Sequence, residues 1–84
     1  MRVLFKLFAN LSDYLPAEAR RTNTMELDVT PETTVAALIE RYKIPEKSAH
    51  LVLINGVFVP PEQRATRTLT EHDELSVWPP VAGG

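Results

Sequence analysis

The sequence predicts an α+β fold in which a mixed β-sheet carries one main helix on one of its faces. Three observations predict it: β-rich runs near both ends of the chain, one amphipathic helical stripe near its middle, and a hairpin signal after the helix. The predicted order is strand, strand, helix, strand, short strand, strand. Strands that flank a single helix indicate a sheet that the helix covers on one side, and 84 residues suffice for one domain with one modest core.

The first predicted strand spans residues 2–8 (RVLFKLF). Because side chains alternate between the two faces of a strand, one face is wholly apolar and carries Val3, Phe5 and Leu7. The opposite face is mixed, and its apolar members Leu4 and Phe8 need a partner. That partner is either a second protein or the connection that follows, residues 9–23.

Three apolar residues in this connection predict one short helical turn: Leu11, Tyr14 and Leu15. Pro16 stops or redirects the turn, and the polar stretch 16–21 is expected to be solvated. The second predicted strand, residues 24–29, alternates again, with three apolar side chains on one face: Met25, Leu27 and Val29.

A helix is predicted to begin near residue 30, where Thr30 or Thr33 can provide the N-cap and Pro31 suits the first turn. Apolar residues then recur at the i, i+3, i+4 and i+7 positions of one helix face: Val35, Leu38, Ile39 and Tyr42. Pro45 ends the helix. An amphipathic helix of about ten residues fits one face of a sheet.

Residues 51–59 (LVLINGVFV) contain the clearest local signal. Two β-rich runs flank Asn55 and Gly56, a pair that favours a type I′ hairpin turn. Pro60 and Pro61 then end the strand pairing, because neither has an N–H to donate.

The last part of the predicted domain is less regular. Residues 62–70 have no strand or helix pattern, and Leu69 is their expected anchor in the core. Residues 71–74 (EHDE) predict a polar, solvated turn, and residues 75–78 (LSVW) predict the last strand.

Alternation within the last strand turns Leu75 and Val77 toward the core and Trp78 toward the second face of the sheet. Leu4 and Phe8 lie on that same second face. An exposed apolar patch of this kind usually marks an interface, and large aromatic side chains are typical anchors there. The alternative is that the connection after the first strand folds over these residues.

The composition argues against several function classes. Nine basic and eleven acidic residues give a net charge of −2 without a basic cluster, so nucleic acid is not an expected partner. The absence of cysteine removes thiolate ligands and a cysteine nucleophile. No apolar run reaches membrane-spanning length, so we expect a cytoplasmic protein without a membrane partner.

No metal site is predicted, because His50 and His72 do not lie near a second group of ligand residues. Arg64 and Arg67 are expected to be exposed to solvent. The carboxylates of residues 71–74 lack the spacing of a calcium loop. Since no nucleophile–base pair is evident either, the chain is not expected to be an independent enzyme.

The end of the chain is the strongest candidate for a chemical site. Trp78 precedes a proline and is held extended, and Pro79 and Pro80 cannot donate to a strand ladder, so the sheet must stop there. Gly83 and Gly84 have no side chains and could thread a narrow channel. The α-carboxylate of Gly84, once activated with ATP by a partner, would become an acyl donor. A frayed, inert end is the alternative.

Five segments in order resemble the MoaD/ThiS family of ubiquitin-like sulfur carriers: RVLFKLFANL, TVAALIERY, INGVFVPP, TEHDELSVWPP and the terminal VAGG. The resemblance covers nearly the whole chain. It implies a β-grasp (ubiquitin-like) domain over residues 1–79, a flexible tail over residues 80–84, and a thiocarboxylate on Gly84. It also implies a partner of the MoeB/ThiF type, an adenylating enzyme related to ubiquitin-activating enzymes. That partner would consume ATP, while the carrier itself binds no cofactor.

The resemblance leaves the sulfur-accepting pathway open. The long connection and the PPVAGG ending resemble MoaD, the small subunit of molybdopterin synthase, whose partner would be a MoaE-type large subunit. The stretch VPPEQRATRTLTEHDEL resembles ThiS, the carrier for thiamine thiazole synthesis, whose partner would be thiazole synthase. Ubiquitin-like modifiers share the same ending. Molybdopterin synthesis for the molybdenum cofactor is the first hypothesis.

Residue by residue, the resemblance implies that Gly84 carries the acyl group and that Gly83 gives a partner access to it. The residues expected to contact partners are Trp78, Pro80, Val81, Ala82, Leu4 and Phe8.

Overall fold

The computed structural model describes residues 1–80, in which five strands form one mixed sheet. The strands are β1 (Arg2–Leu7), β2 (Thr24–Asp28), β3 (Leu51–Ile54), β4 (Val57–Phe58) and β5 (Glu74–Trp78). They lie in the order β2-β1-β5-β3-β4. The central pair β1 and β5 is parallel, and the other neighbours are antiparallel. The predicted α+β architecture is confirmed, with small differences at the strand ends.

The helical elements are short and lie in the connections between strands. The α-helices are α1 (Ala17–Arg20) and α2 (Val35–Arg41). Three 3₁₀ helices span Ala9–Tyr14, Glu46–Ser48 and Pro61–Gln63. The main helix α2 lies between β2 and β3 in the chain, as the sequence predicts, but it has 7 residues rather than about ten.

The core lies on one face of the sheet, because apolar residues alternate along the strands that form it. From β1 and β5 it receives Val3, Phe5, Leu7, Leu75 and Val77, all of them buried. Helix α2 adds the predicted stripe of Val35, Leu38 and Ile39 to the same cluster. The ring of Tyr42 completes this stripe and lies 5.2 Å from the ring of Phe5.

The N-cap of α2 is Thr34, not Thr30 or Thr33 as predicted. Its hydroxyl accepts a hydrogen bond from the Ala37 N–H at 3.1 Å. Thr33 is occupied elsewhere, since its hydroxyl accepts the Thr30 N–H at 3.2 Å. Pro31 therefore lies in the loop before the helix and not in its first turn. Sequence position alone could not choose among three nearby threonines with equal capping chemistry.

The connection between β1 and β2 is more ordered than predicted. Leu11 and Leu15 are buried around the expected turn, which is a 3₁₀ helix. The stretch expected to be solvated contains α1, and five of its six residues are exposed as predicted. The exception is Ala19, which is buried in the core cluster. Arg20 also donates from Nε to the Leu15 carbonyl at 2.9 Å. Ala19 was missed because one small apolar residue among polar neighbours gives no periodic signal.

The β3–β4 hairpin confirms the strongest local prediction. Asn55 and Gly56 have φ values of +52° and +83°, the positive pair that a type I′ turn requires. Ile54 pairs with Val57 across this two-residue loop. Beyond the hairpin, the buried Leu69 anchors the irregular segment to the core, as expected.

The turn at residues 71–74 is only partly solvated, because Asp73 is buried. One Asp73 carboxylate oxygen accepts the Asn55 side-chain amide and the other accepts the Thr70 N–H, both at 2.8 Å. Burial by itself would raise the pKa of Asp73, but these hydrogen bonds outweigh it and hold the pKa below its ordinary value. The carboxylate thereby ties the last turn to the hairpin, a contact between segments distant in sequence.

Candidate functional site

The chain leaves the sheet at the end of β5, and residues 77–80, here called the tail root, are the centre of the candidate site. The Val77 carbonyl accepts a hydrogen bond from the Phe8 N–H at 3.1 Å. The Trp78 carbonyl accepts one from the His50 N–H at 3.0 Å. The tail root is thus held on both sides, by the residue after β1 and the residue before β3.

Two prolines end this ladder. Pro79 is half-buried and Pro80 is exposed, and neither has an N–H that could continue the pairing. The prediction that the sheet stops after Trp78 is confirmed. The remaining predicted tail residues lie outside the described residues: Val81, Ala82, Gly83 and Gly84.

Phe8 and Trp78 form an aromatic pair beside the tail root. Their ring centroids are 3.9 Å apart, and the ring planes differ by 3°. Trp78 is 39% exposed and Phe8 is half-buried, on the sheet face opposite to the core. The connection after β1 does not bury this pair, because its apolar residues Leu11 and Leu15 belong to the core cluster.

The strand register extends the aromatic pair into a longer apolar surface. Leu51 lies opposite Trp78, and Leu53 of the same strand lies opposite Phe58 on β4. Leu51 is 37% exposed and Phe58 is 49% exposed, while Leu53 is half-buried. We call this surface the open-face stripe, and its members are Phe8, Trp78, Leu51, Leu53 and Phe58.

The sequence analysis missed the β3 and β4 members of this stripe, although the signal was present. Alternation along β3 buries Val52 and Ile54, so Leu51 and Leu53 must face the other way. The two-residue turn then fixes the register that brings Phe58 beside Leu53. The strand order β5-β3-β4, which places Leu51 beside Trp78 and Phe58 one strand further away, needed the tertiary structure.

Leu4 lies on the same face but in a charged part of it. It is half-buried and pairs with Glu26 of β2 on one side and Glu74 of β5 on the other. Lys6 separates Leu4 from Phe8 along β1, and its Nζ lies 3.1 Å from a Glu74 carboxylate oxygen. The structure thus brings Phe8 and Trp78 together and leaves Leu4 apart from them.

Arg64 is buried, at 8% exposure, and not solvent-exposed as predicted. Its guanidinium donates to the Ala49 carbonyl at 2.6 Å and to the His50 carbonyl at 3.2 Å. Burial lowers the pKa of Arg64, and the negative charges of Glu46 and Glu62 oppose that shift. Arg64 therefore braces the segment whose His50 N–H holds the tail root. Arg67, by contrast, is exposed as expected.

Other types of site have less support in the part of the chain that the structure describes. Within residues 1–80, His, Asp and Glu side chains do not form a group of three or more that could hold a metal ion. His50 and His72 are both exposed. None of the helices in this range is long and apolar enough to span a membrane.

Comparison with protein families gives a match to the ThiS family over residues 14–84, which is most of the chain. Among curated proteins, none matches the sequence.

Several solved structures share the fold. SAMP1 of Haloferax volcanii is 28% identical over the full length of both chains, with a TM-score of 0.66. The Haloferax volcanii HVO 2177 protein is 23% identical, covers 100% of this chain and 87% of its own, and has a TM-score of 0.74. A Pyrococcus furiosus protein named for molybdopterin converting factor, subunit 1, is 21% identical over 96% of this chain and 99% of its own, with a TM-score of 0.68. These likenesses confirm the predicted ubiquitin-like β-grasp fold.

Proposed function

The chain belongs to the ThiS family of ubiquitin-like sulfur carriers and modifiers, and we propose that it carries sulfur as a thiocarboxylate on Gly84. In this proposal the folded domain, residues 1–79, presents a reactive tail, residues 80–84. The chain is then a protein co-substrate and not an enzyme.

The observation that carries the proposal is the geometry of the tail root. The sheet ends at Trp78, the exposed Pro80 follows, and the sequence closes with Gly83 and Gly84. A partner can therefore approach the chain at Pro80 without disturbing the core. Two residues without side chains at its end allow close approach of the terminal carbonyl carbon to a partner's catalytic centre.

The proposed chemistry has two steps, because a carboxylate is a poor acyl donor. A carboxylate oxygen of Gly84 attacks the α-phosphorus of ATP and pyrophosphate leaves, giving an acyl adenylate. A sulfur nucleophile at the oxidation level of sulfide then attacks the acyl carbon and displaces AMP. Dividing a difficult substitution in this way is the general logic of covalent catalysis. ATP binds to the partner, and this chain needs no cofactor of its own.

The first partner is an adenylating enzyme related to ubiquitin-activating enzymes, since members of the family work with such enzymes. We propose that it contacts the open-face stripe, chiefly through Trp78 and Phe8, and that it encloses Pro80, Val81 and Ala82 in a channel. Leu4 would lie at the charged edge of this contact. Half-exposed aromatic side chains beside the reactive tail suit the anchor positions of an interface.

The sulfur would go to molybdopterin, with a MoaE-type large subunit as the acceptor partner. The PPVAGG ending and the long connection after β1 support this destination. Thiazole synthesis, with thiazole synthase as partner, is the alternative that the VPPEQRATRTLTEHDEL stretch supports. The Pyrococcus furiosus likeness, at 21% identity, bears on the fold alone.

A second candidate function is attachment of the tail to lysine side chains of other proteins. SAMP1 of Haloferax volcanii is named a small archaeal modifier protein and matches this chain over its full length. The same adenylate would serve both functions, and they differ in whether sulfur or a lysine amine attacks it.

Intact mass spectrometry of the protein from its native host tests the proposal. A carrier should contain a fraction in which one oxygen of the Gly84 carboxylate is replaced by sulfur. Deletion of Gly84 should abolish this fraction and leave the fold intact. Gly-Gly remnants on lysines of other proteins, without any thiocarboxylate, would favour the modifier instead.

A removable extension provides the matched control. A C-terminal tag that blocks Gly84 should prevent thiocarboxylate formation, and protease cleavage that restores the free Gly84 should recover it. Full complementation by the uncleaved tagged protein would refute the carrier mechanism.

A further inference from the structure

We propose that Phe8 is a positioning residue for the tail: by stacking on Trp78, it holds the point at which the chain leaves the sheet. The inference rests on the proposed function, in which Gly84 must reach a partner's catalytic centre. It assigns Phe8 a role within this chain, in addition to its proposed contact with a partner.

Two backbone hydrogen bonds reach the tail root from residues that adjoin the strands β1 and β3 on either side of β5. The Phe8 N–H donates to the Val77 carbonyl, and the His50 N–H donates to the Trp78 carbonyl. Since prolines follow, the second bond is the last of the ladder in the described part of the chain. Terminal bonds of a ladder open more readily than central ones, because fewer contacts must break with them.

The aromatic stack opposes this opening. Trp78 supplies both the carbonyl of the terminal bond and the ring that lies on Phe8 at 3.9 Å. Opening the end of β5 therefore requires the two rings to separate as well. An aromatic pair of this kind lowers the open population by roughly twofold to tenfold.

The backbone after Phe8 indicates that its position is imposed by the fold. Phe8 is extended, with φ −101° and ψ 160°, and the next residue, Ala9, has φ +52°. This left-handed conformation is unfavourable for a residue with a side chain and persists only where the surroundings enforce it. The turn lets the chain enter the 3₁₀ helix at Ala9–Tyr14 while Phe8 stays beside Trp78.

The position of the tail root limits where Gly84 can reach. The five residues of the tail, from Pro80 to Gly84, span at most roughly 17 Å. Movement of the tail root moves the attachment point of this span, and a displacement of about 1 Å of a reacting group can already slow a reaction by about a hundredfold. A tail root that is held in place therefore limits the volume in which the Gly84 carboxylate can lie when a partner binds.

Hydrogen exchange tests whether the Phe8–Trp78 stack holds the tail root closed, without any assay of function. Because the His50 N–H forms the terminal bond, its exchange rate reports the opening of the tail root. We expect exchange to be roughly twofold to tenfold faster in Phe8→Ala, with an intermediate rate in Phe8→Leu. The matched control is Phe58→Ala, which removes another exposed aromatic ring of the same face and should leave the His50 rate unchanged. An unchanged rate in Phe8→Ala would overturn the proposal.

Kinetics with the adenylating enzyme of the same host test the consequence. In ATP–pyrophosphate exchange, Phe8→Ala should lower kcat by up to roughly tenfold, the largest factor by which loss of the stack raises the open population of the tail root. Phe58→Ala should raise KM instead, because it removes a docking contact far from the tail root. If Phe8→Ala exchanges the His50 N–H faster but keeps the wild-type kcat, the stack holds the tail root closed without positioning the tail. That result also overturns the proposal.

The two levels of the hypothesis fail in distinguishable ways. If the wild-type chain supports no exchange with the adenylating enzyme, the carrier function itself is wrong, and the role of Phe8 in it fails too. If the wild-type chain is adenylated and Phe8→Ala matches it in both measurements, only the positioning role is wrong.

Discussion

At the scale of single residues, Asp73 shows how one buried carboxylate can join two turns. Its oxygens accept from the Asn55 amide and the Thr70 N–H, and Asn55 in turn accepts from the Glu74 N–H at 2.9 Å. These bonds connect the β3–β4 hairpin to the turn before β5. A buried charge persists in such a place because hydrogen bonds replace the water that it has lost.

Asp73→Asn tests this link. We expect the free energy of unfolding at pH 7 to fall by about 1–3 kcal/mol, because the amide cannot accept both donors through oxygen. Since the folded pKa is below the ordinary value of 3.8, the stabilisation is present above that pH and is lost as pH falls through the folded pKa. The difference between wild type and variant should therefore shrink in strong acid, as measured by urea denaturation at several pH values.

The exposed Asp13 provides the control for this experiment. Asp13→Asn should change the free energy of unfolding at pH 7 by no more than about 0.5 kcal/mol. Equal effects of the two substitutions would contradict the role assigned to Asp73.

At the scale of elements, the β3–β4 hairpin is set by the backbone of its turn. Gly56 has φ +83°, and a Cβ placed there would meet no atom within 4 Å. Any cost of a side chain at this position is therefore conformational and not steric. The hairpin matters for the candidate site because it sets the register of Leu53 and Phe58 in the open-face stripe.

Gly56→Ala should lower the free energy of unfolding by about 1 kcal/mol, the cost of left-handed backbone for a residue with a Cβ. Thermal or urea denaturation measures it. The reverse exchange at Lys43, which has φ +59° just after the last turn of α2, is the matched comparison. Lys43→Gly should stabilise the protein by a few tenths of a kcal/mol to about 1 kcal/mol. If both substitutions changed the free energy of unfolding in the same direction, backbone conformation could not be the cause of both changes.

At the scale of the whole molecule, the two faces of the sheet differ in burial. The core face is covered by α2 and by the connection after β1, and its side chains are almost wholly buried. The other face keeps the open-face stripe partly exposed beside the tail root. Two residues of the same strand β5 therefore differ in environment, with Leu75 in the core and Trp78 on the stripe.

Two substitutions on β5 measure this division. Leu75→Ala should lower the free energy of unfolding by about 2–5 kcal/mol, because it leaves a cavity in the core. Trp78→Ala should cost only about 1–2 kcal/mol, since the indole is already half exposed and loses chiefly its stack on Phe8. Its main effect should be weaker binding to the adenylating enzyme, measured by calorimetry. A larger stability loss for Trp78→Ala than for Leu75→Ala would contradict the assignment of faces.

Features with a local physical cause were accessible from the sequence. The alternation in β1, the Asn55-Gly56 turn, the apolar stripe of α2 and the stop at Pro79 each depend on residues that are close in the chain. Errors at this scale concerned choices among near equivalents, such as Thr34 for the N-cap of α2. The candidate tail could likewise be named from composition and order alone.

The contacts between distant segments required the tertiary structure. Arg64 and Asp73 were expected to be in solvent. The sequence does not show which distant carbonyl or amide group will form hydrogen bonds with a charged side chain. The stack of Phe8 on Trp78 depends on the parallel pairing of β1 with β5, whose residues lie about seventy positions apart in the chain. By itself the sequence determined the strands, the main helix, the two faces of each strand and the Gly-Gly tail, since these follow from side-chain period and backbone chemistry. Only the folded sheet decided which exposed side chains adjoin the tail root, because strand order and register arise from packing across the whole molecule.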